Sequence, residues 1–504
     1  MKDFSTIHDD DVELSLLKEI PMVFCRENLL LPMRIEDGHL KAAVADENGI
    51  FALRELAEKF TLLPRPLMVD RAVLVESINR FYSQIGSAEE VMQNIAGEDL
   101  SSVANEFEAP KDLLELTEDA PIIRLLNALL QQAVKERASD IHIEPYETEL
   151  DVRMRVDGIL NTVIRPPKII QDALISRIKI MANLDIAEKR LPQDGRIKIL
   201  VGGRDVDIRV SVIPTVFGER AVLRLLDRRQ GVISLSDLGF SAERKQAFNE
   251  LLSKPNGIVL VTGPTGSGKT TTLYAALNSI YTVEKNIITV EDPVEYQLRG
   301  IGQIQVNPAI GLTFAAGLRS ILRQDPDVIM VGEIRDMETA EIAIHASLTG
   351  HLVLSTLHTN DAASAVTRLL DMGVEPFLVA SSLLGVLAQR LVRVVCPSCK
   401  SEYPIDESEK GYFTSPSGKL FRGTGCVKCK ETGFLGRTGI FELMVIDTEI
   451  RAMIARKADA NTIKEAAAKN GMVTLRMDGL QKVQEGTTTI GEVLRVTQKD
   501  YADI

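Results

Sequence analysis

The chain has 504 residues, 45% of them hydrophobic and 26% charged, with a formal net charge of −13. Its length and apolar content suit about three or four globular domains, and the acid excess excludes a general electrostatic affinity for nucleic acid, leaving at most a local basic groove. The N-terminus, with His8-Asp9-Asp10-Asp11, lacks the basic start and apolar core of a secretory signal. No run reaches the ~18 uninterrupted apolar residues that span a bilayer; the best, Val379 to Val395, is broken by Gln389, Arg390 and Arg393. A cytoplasmic protein with peripheral membrane association is expected.

Residues 1–85 mix short apolar segments with Pro64 and Pro66 and carry no catalytic signature, which predicts a small α+β interaction domain. Cys25, in Val23-Phe24-Cys25, reads as a small core residue rather than a reactive thiol. Residues 86–118, with Gly86, Gly97, Ser101, Ser102 and several glutamates, read as a linker. From 119 to 230 the pattern is α+β. Pro121 opens an apolar helical stripe through Leu130, and a second helix is expected around Ile169 to Leu184. Leu150, Val152, Met154 and Val156 alternate with charged residues before the turn Asp157-Gly158. Ile197 to Val201, Gly202-Gly203 and Val206 to Val212 repeat the hairpin pattern.

The apolar run Ile258-Val259-Leu260-Val261 leads into Gly263-Pro264-Thr265-Gly266-Ser267-Gly268-Lys269-Thr270-Thr271, a complete phosphate-loop signature. Its glycines let backbone N–H groups surround phosphates, Lys269 reaches the β and γ phosphates, and the Thr270 hydroxyl binds Mg²⁺. Further apolar strands, Ile287 to Val290, Val328 to Val331 and Leu352 to Leu354, alternate with helices over residues 231–391. That is the pattern of a parallel, helix-flanked sheet, which binds ligands at the carboxyl ends of its strands.

Three polar segments fall at such ends. Glu291-Asp292-Pro293-Val294-Glu295 offers a carboxylate for Mg²⁺ or for polarising water, unless it is merely a solvated acidic loop. Gly332-Glu333-Ile334-Arg335-Asp336 takes the place of a Walker B segment, so Glu333 acts on Mg²⁺ through water or orients the nucleophile. In the third, His351 and His358 bracket a buried strand, with Thr356, Asn360 and Asp361 near its end. Either histidine could be structural; together with the other segments they suggest a γ-phosphate sensor.

Cys396-Pro397-Ser398-Cys399 and Cys426-Val427-Lys428-Cys429 form two C-x₂-C knuckles separated by 26 residues. Four thiolates complete a closed tetrahedral shell for one structural Zn²⁺, with a dithiol redox pair as the competing reading. This zinc subdomain would occupy 392–435, leaving 436–504 as a helical C-terminal region.

Taken together, these motifs resemble the secretion ATPase superfamily, the hexameric motors of type II secretion, type IV pilus assembly and retraction, and type IV secretion. Glu291-Asp292-Pro293 looks like its aspartate box, Gly332-Glu333 its Walker B, and His351 to His358 its histidine box. Ala138-Ser139-Asp140-Ile141-His142-Ile143-Glu144-Pro145 and Leu191-Pro192-Gln193-Asp194-Gly195-Arg196 look like hallmarks of its preceding domain. His345 stands where the family pattern leads one to expect arginine.

The resemblance implies a RecA-like P-loop core, a PAS-like domain before it that caps the nucleotide of its own or a neighbouring subunit, and a homo-hexamer. It implies Mg²⁺ with ATP, one Zn²⁺ per subunit, and arginines on phosphate, with Arg209 and Arg224 favoured and Arg319, Arg323 and Arg335 as further candidates. Retraction motors lack both the cysteine cluster and the N-terminal domain, so the type II secretion branch is expected, with pilus assembly as the alternative. That branch implies an N-terminal domain docked on the cytoplasmic part of an inner-membrane secretion protein, beside a platform protein. Outside the family, a nucleic-acid translocase or a non-hydrolysing zinc adaptor would fit the phosphate loop but not the charge or the retained carboxylates.

Overall fold

The computed structural model describes residues 7, 11–17, 20, 22–82, 121–201, 204–227, 234–413 and 419–497. The expected linker at 86–118 and the turn Gly202-Gly203 lie outside the described residues. The chain divides into two compact units, Met1–Arg229 and Gln230–Ile504.

In the first unit, β1 (Leu30–Glu36) and β2 (His39–Val44) pair antiparallel, and β3 (Leu63–Met68) joins β2 in parallel. A parallel join requires a crossover. The helix Glu47–Lys59 supplies it, its start fixed by Asp46, which accepts a hydrogen bond from Gly49 N at 2.9 Å. Cys25 is fully buried in the apolar cluster of this domain.

The same unit holds a six-stranded antiparallel sheet, β4 (Asp140–Pro145), β5 (Leu150–Val156), β6 (Ile159–Ile164), β7 (Gln193–Val201), β8 (Arg204–Thr215) and β9 (Gly218–Asp227). The strand order is β6-β5-β4-β9-β8-β7. Asp157 and Gly158 both take positive φ, 49° and 85°, so the turn between β5 and β6 has the sense that matches strand twist. Ile141, Ile143, Val152, Ile208 and Leu223 pack with the helices Pro121–Lys135 and Gln171–Met181. Strand alternation then sends Asp140, His142, Glu144, Arg209 and Arg224 to the opposite face.

The second unit is built on a seven-stranded sheet in the order β12-β11-β13-β14-β10-β15-β18. Its strands are β10 (Gly257–Thr262), β11 (Ile287–Glu291), β12 (Gly302–Gln305), β13 (Val328–Val331), β14 (Leu352–Leu357), β15 (Leu383–Val395) and β18 (Phe434–Val445). Every pairing is parallel except β15 with β18. The central strands β10, β13 and β14 are wholly buried, as continuous apolar runs in a sheet covered on both faces must be.

Both cysteine knuckles sit in the connection between β15 and β18, which also carries the small sheet of β16 (Lys400–Pro404) and β17 (Lys419–Gly423). Residues 434–445, read from sequence as partly zinc subdomain and partly helical region, are instead the edge strand of the core. The helices begin at Thr448. The run Ile440–Val445, apolar but for Glu442, has no helical stripe and finds its partner in β15.

Candidate functional site

The phosphate loop runs from the end of β10 into the helix Lys269–Ile280. Gly263, Gly266 and Gly268 adopt φ of 152°, 78° and 89°, conformations open to glycine. A Cβ on Gly263 would lie 2.5 Å from the Gln389 carbonyl oxygen, so β15 forms the back wall of the loop. Pro264, Thr265 and Gly266 make an exposed tip, and Thr270 is exposed at the first turn of the helix. Ser267 Oγ is buried without a hydrogen-bond partner. A buried orphan hydroxyl beside the N–H groups of a helix start fits a bound phosphate oxygen.

Lys269 is 8% exposed. Its Nζ donates to the carbonyls of Gly263 at 2.7 Å and Pro264 at 3.1 Å. Burial pulls this ammonium down to about 8, opposed by the charge of Glu333. An anion bound in the loop would reverse that shift and draw the ammonium onto itself.

Glu333 follows β13. Its Oε1 pairs with Arg335 Nη2 and its Oε2 lies 3.2 Å from His358 Nε2. Gly332 lets the end of β13 lie close against the end of β11, since a Cβ there would stand 3.3 Å from Glu291 Cα and from the Val290 carbonyl oxygen. Thr356 Oγ1 donates to Gly332 O at 2.7 Å, and Thr262 Oγ1 lies 2.7 Å from Thr359 Oγ1. The ends of β10, β13 and β14 are thereby tied into one polar floor.

Glu291 closes β11 and is 3% exposed. Tyr274 OH donates to its Oε2, while Thr289 Oγ1 at 2.5 Å and Gln303 Nε2 at 3.1 Å donate to its Oε1. Burial raises its pKa above the ordinary carboxylate value against these three hydrogen bonds. That direction suits a proton acceptor working near neutral pH.

His358 joins the carboxyl-end cluster, whereas His351 does not. It lies at the amino end of β14, its Nδ1 2.8 Å from Ala346 O, and about 20 Å of extended strand separates it from His358. Of the two histidines expected to act together as a sensor, only His358 stands at the carboxyl end of the sheet, because a six-residue strand carries its flanks to opposite edges. Arg319 pairs with Glu338 on the helix surface. Arg209 and Arg224 belong to the first unit, facing each other on β8 and β9.

Several site residues escaped sequence reading. Gln389 Oε1 accepts from Thr272 Oγ1 at 2.7 Å, and Arg390 Nη2 donates to Asn360 O at 2.9 Å. Beside the loop tip, a cleft of ≈ 380 Å³ is lined by Pro264, Asp361, Arg390, Lys464, Arg476 and Arg495 among others. The signal was the polar pair Gln389-Arg390 which, with Arg393, interrupts a mainly apolar strand. Tyr274 and Gln303 carried no such signal.

At the cysteine cluster all four Sγ atoms lie within 4.8 Å of one another. The Cys396–Cys426, Cys399–Cys429 and Cys426–Cys429 separations are 3.9, 3.8 and 3.6 Å. Tetrahedral Zn–S bonds of about 2.3 Å put sulfurs about 3.8 Å apart, so the set fits one zinc ion. Burial pushes the Cys429 thiol up, but N–H donation from Gly433 and Cys426 outweighs it and brings it to about 7.

A parallel sheet closing on a phosphate loop, with carboxylates at the ends of two adjacent strands, defines a RecA-like P-loop ATPase. The chain belongs to the family described as Type II/IV secretion system protein, which it matches over residues 115–495; residues 4–88 match the MshEN domain. It is 50% identical to Type II secretion system protein E of Pseudomonas aeruginosa, over 96% of this chain and 97% of that one. Type IV pilus assembly ATPase PilB of Myxococcus xanthus is 45% identical, over 98% of this chain and 88% of that one. Among solved structures, the pilus retraction motor PilT with bound ADP matches with a TM-score of 0.50 and 25% identity, covering 74% of this chain and 97% of its own. The Legionella pneumophila ATPase DotB, at 22% identity, shares the fold with a TM-score of 0.55 over 77% of this chain and 97% of its own. Among the described residues no helix is long and apolar enough to cross a membrane.

Proposed function

We propose that this chain is the ATPase motor of a type II secretion machine, coupling ATP hydrolysis to pseudopilus assembly and export of folded proteins across the outer membrane. One observation carries the reading: 50% identity to a type II secretion protein E that leaves almost no part of either chain unmatched.

The loop N–H groups and Lys269 hold the β and γ phosphates, with Nζ leaving the carbonyls of Gly263 and Pro264 for the incoming anion. Thr270 is the residue to hold Mg²⁺, which when bound neutralises developing charge on the phosphates. Glu333, steadied by Arg335 and His358, would act on Mg²⁺ through water or orient the nucleophile. Glu291 accepts the proton of the attacking water, and His358 reports the γ-phosphate to the loop after β14. Arg209 and Arg224, from the same or a neighbouring subunit, stabilise the charge of the transferring phosphoryl group. The working form is a homo-hexamer. Each subunit carries one structural Zn²⁺ on Cys396, Cys399, Cys426 and Cys429, bracing the β15–β18 connection. The N-terminal domain, residues 1–85, docks on the cytoplasmic part of an inner-membrane secretion protein beside the platform protein, so the motor sits peripherally on the inner membrane.

The test is turnover against nucleotide binding. Glu291→Gln and Glu333→Gln each keep ATP binding and lose nearly all hydrolysis in the assembled protein; full turnover in both variants overturns the assignment. Pilus assembly is the second reading, favoured by the 45% identity to PilB over nearly the whole chain. Affinity of residues 1–110, within the full chain, for secretion versus pilus membrane proteins separates the two.

A further inference from the structure

The polar face of the six-stranded sheet carries a transverse row of five charged residues. Arg155, Asp140, Arg224, Arg209 and Arg196 stand opposite one another on β5, β4, β9, β8 and β7. Like charges in directly opposed strand positions destabilise a sheet, so three adjacent arginines cost stability that packing alone does not explain.

The arginines of this face are engaged differently. Arg196 spends its whole fork on Asp207, Nε to Oδ1 at 2.7 Å and Nη2 to Oδ2 at 2.7 Å. Arg153 likewise gives both Nε, at 2.5 Å, and Nη2 to Glu144. Arg224 gives only Nε, to Asp140 Oδ1 at 2.9 Å. Among the described residues its Nη1 and Nη2 make no hydrogen bond, and the side chain is 55% exposed. A guanidinium held by its inner nitrogen keeps its outer fork for an anion.

Asp140 is built to hold that nitrogen. It is 4% exposed, and Ser139 Oγ donates to its other oxygen, Oδ2, at 2.7 Å. Burial would raise this carboxyl, but hydrogen bonds from Arg224 and Ser139 keep it below its ordinary value, hence charged. Arg155 Nε, 3.7 Å from Oδ2, adds a second positive neighbour.

We propose that Asp140 is a positioning residue for ATP hydrolysis: with Ser139 it clamps the inner nitrogen of Arg224 so that the Nη fork is held out for a phosphoryl group. This gives a chemical role to the Ser139-Asp140 pair at the start of β4. The inference rests on the reading above that Arg224 acts on phosphate.

A double-mutant cycle on the full-length, assembled protein tests it, with kcat and KM for MgATP measured in wild type, Asp140→Asn, Arg224→Ala and the double variant. Asp140→Asn is expected to lower kcat about tenfold and to leave KM within about twofold, the signature of a misplaced transition-state group. Ser139→Ala, which keeps the Asp140 carboxylate and removes only one hydrogen bond to it, lowers kcat in the same direction by less and guards against a folding artefact. In the Arg224→Ala background Asp140→Asn should cost nothing further. An equal loss in that background, or full turnover in both Asp140→Asn and Ser139→Ala, overturns the proposal. Full turnover in Arg224→Ala itself would instead remove the role of Arg224, and the proposal with it.

Discussion

His358 and Glu333 meet at 3.2 Å, Nε2 to Oε2, joining the segment after β14 to the end of β13. Arg335 holds the other oxygen of the same carboxylate, so Glu333 cannot move without disturbing both neighbours. His358→Ala should therefore lower kcat about tenfold while nucleotide affinity changes little, because it loosens an orienting contact on Glu333 and leaves the loop and Lys269 to hold the nucleotide. Turnover and ATP affinity measured on one preparation check this.

Tyr274 donates to Glu291, and that bond favours the ionised carboxylate. Burial already raises Glu291, so Tyr274→Phe should raise it further. The acid limb of the kcat/KM profile then moves to higher pH, with the plateau above it largely kept. A limb that stays put or moves to lower pH would remove Glu291 from the proton-transfer role.

Glu492 ties the final helix to β15 through Arg393 at 2.8 Å and also accepts from Arg495, one turn along the same helix, at 2.8 Å. Burial would raise it, yet these hydrogen bonds hold it at about 2. A depressed carboxylate lends stability that is complete above its unfolded pKa, near the model-peptide value of about 4.3, and is lost as pH falls toward about 2. Glu492→Gln should lower Tm at pH 7 and flatten the acid dependence of Tm across that window.

All four sulfurs lie within 4.8 Å of one another, three of the separations being 3.6 to 3.9 Å, so zinc content should be one ion per chain. Cys399→Ser, or a strong chelator, should lower Tm and expose the β15–β18 connection to protease without abolishing the nucleotide fold, since the central strands pack independently of the knuckles. Metal analysis and limited proteolysis read both effects.

The contiguous motifs were legible because their chemistry is local. Gly263 to Thr270, the Asp157-Gly158 turn and the two knuckles each confine their geometry to a few residues. Contacts made across the fold were not. Gln389 reaches Thr272 from 117 positions away, and no periodicity announces Tyr274 as the partner of Glu291. The two histidines look equivalent in sequence, yet strand rise places only His358 at the phosphate edge. Likewise Phe434–Val445 closes the core sheet although a long cysteine-bearing connection separates it from its partner β15.

In the proposed function, nucleotide turnover at this loop drives type II export. The most direct measurement is secretion of a reporter by a strain whose own type II protein E gene is deleted, carrying this chain or its Lys269→Ala form. Export restored by the wild-type chain and lost with Lys269→Ala, at equal protein levels, is the predicted result. Equal export by both forms, or restored piliation in a strain lacking the pilus assembly ATPase with no restored export, would contradict it.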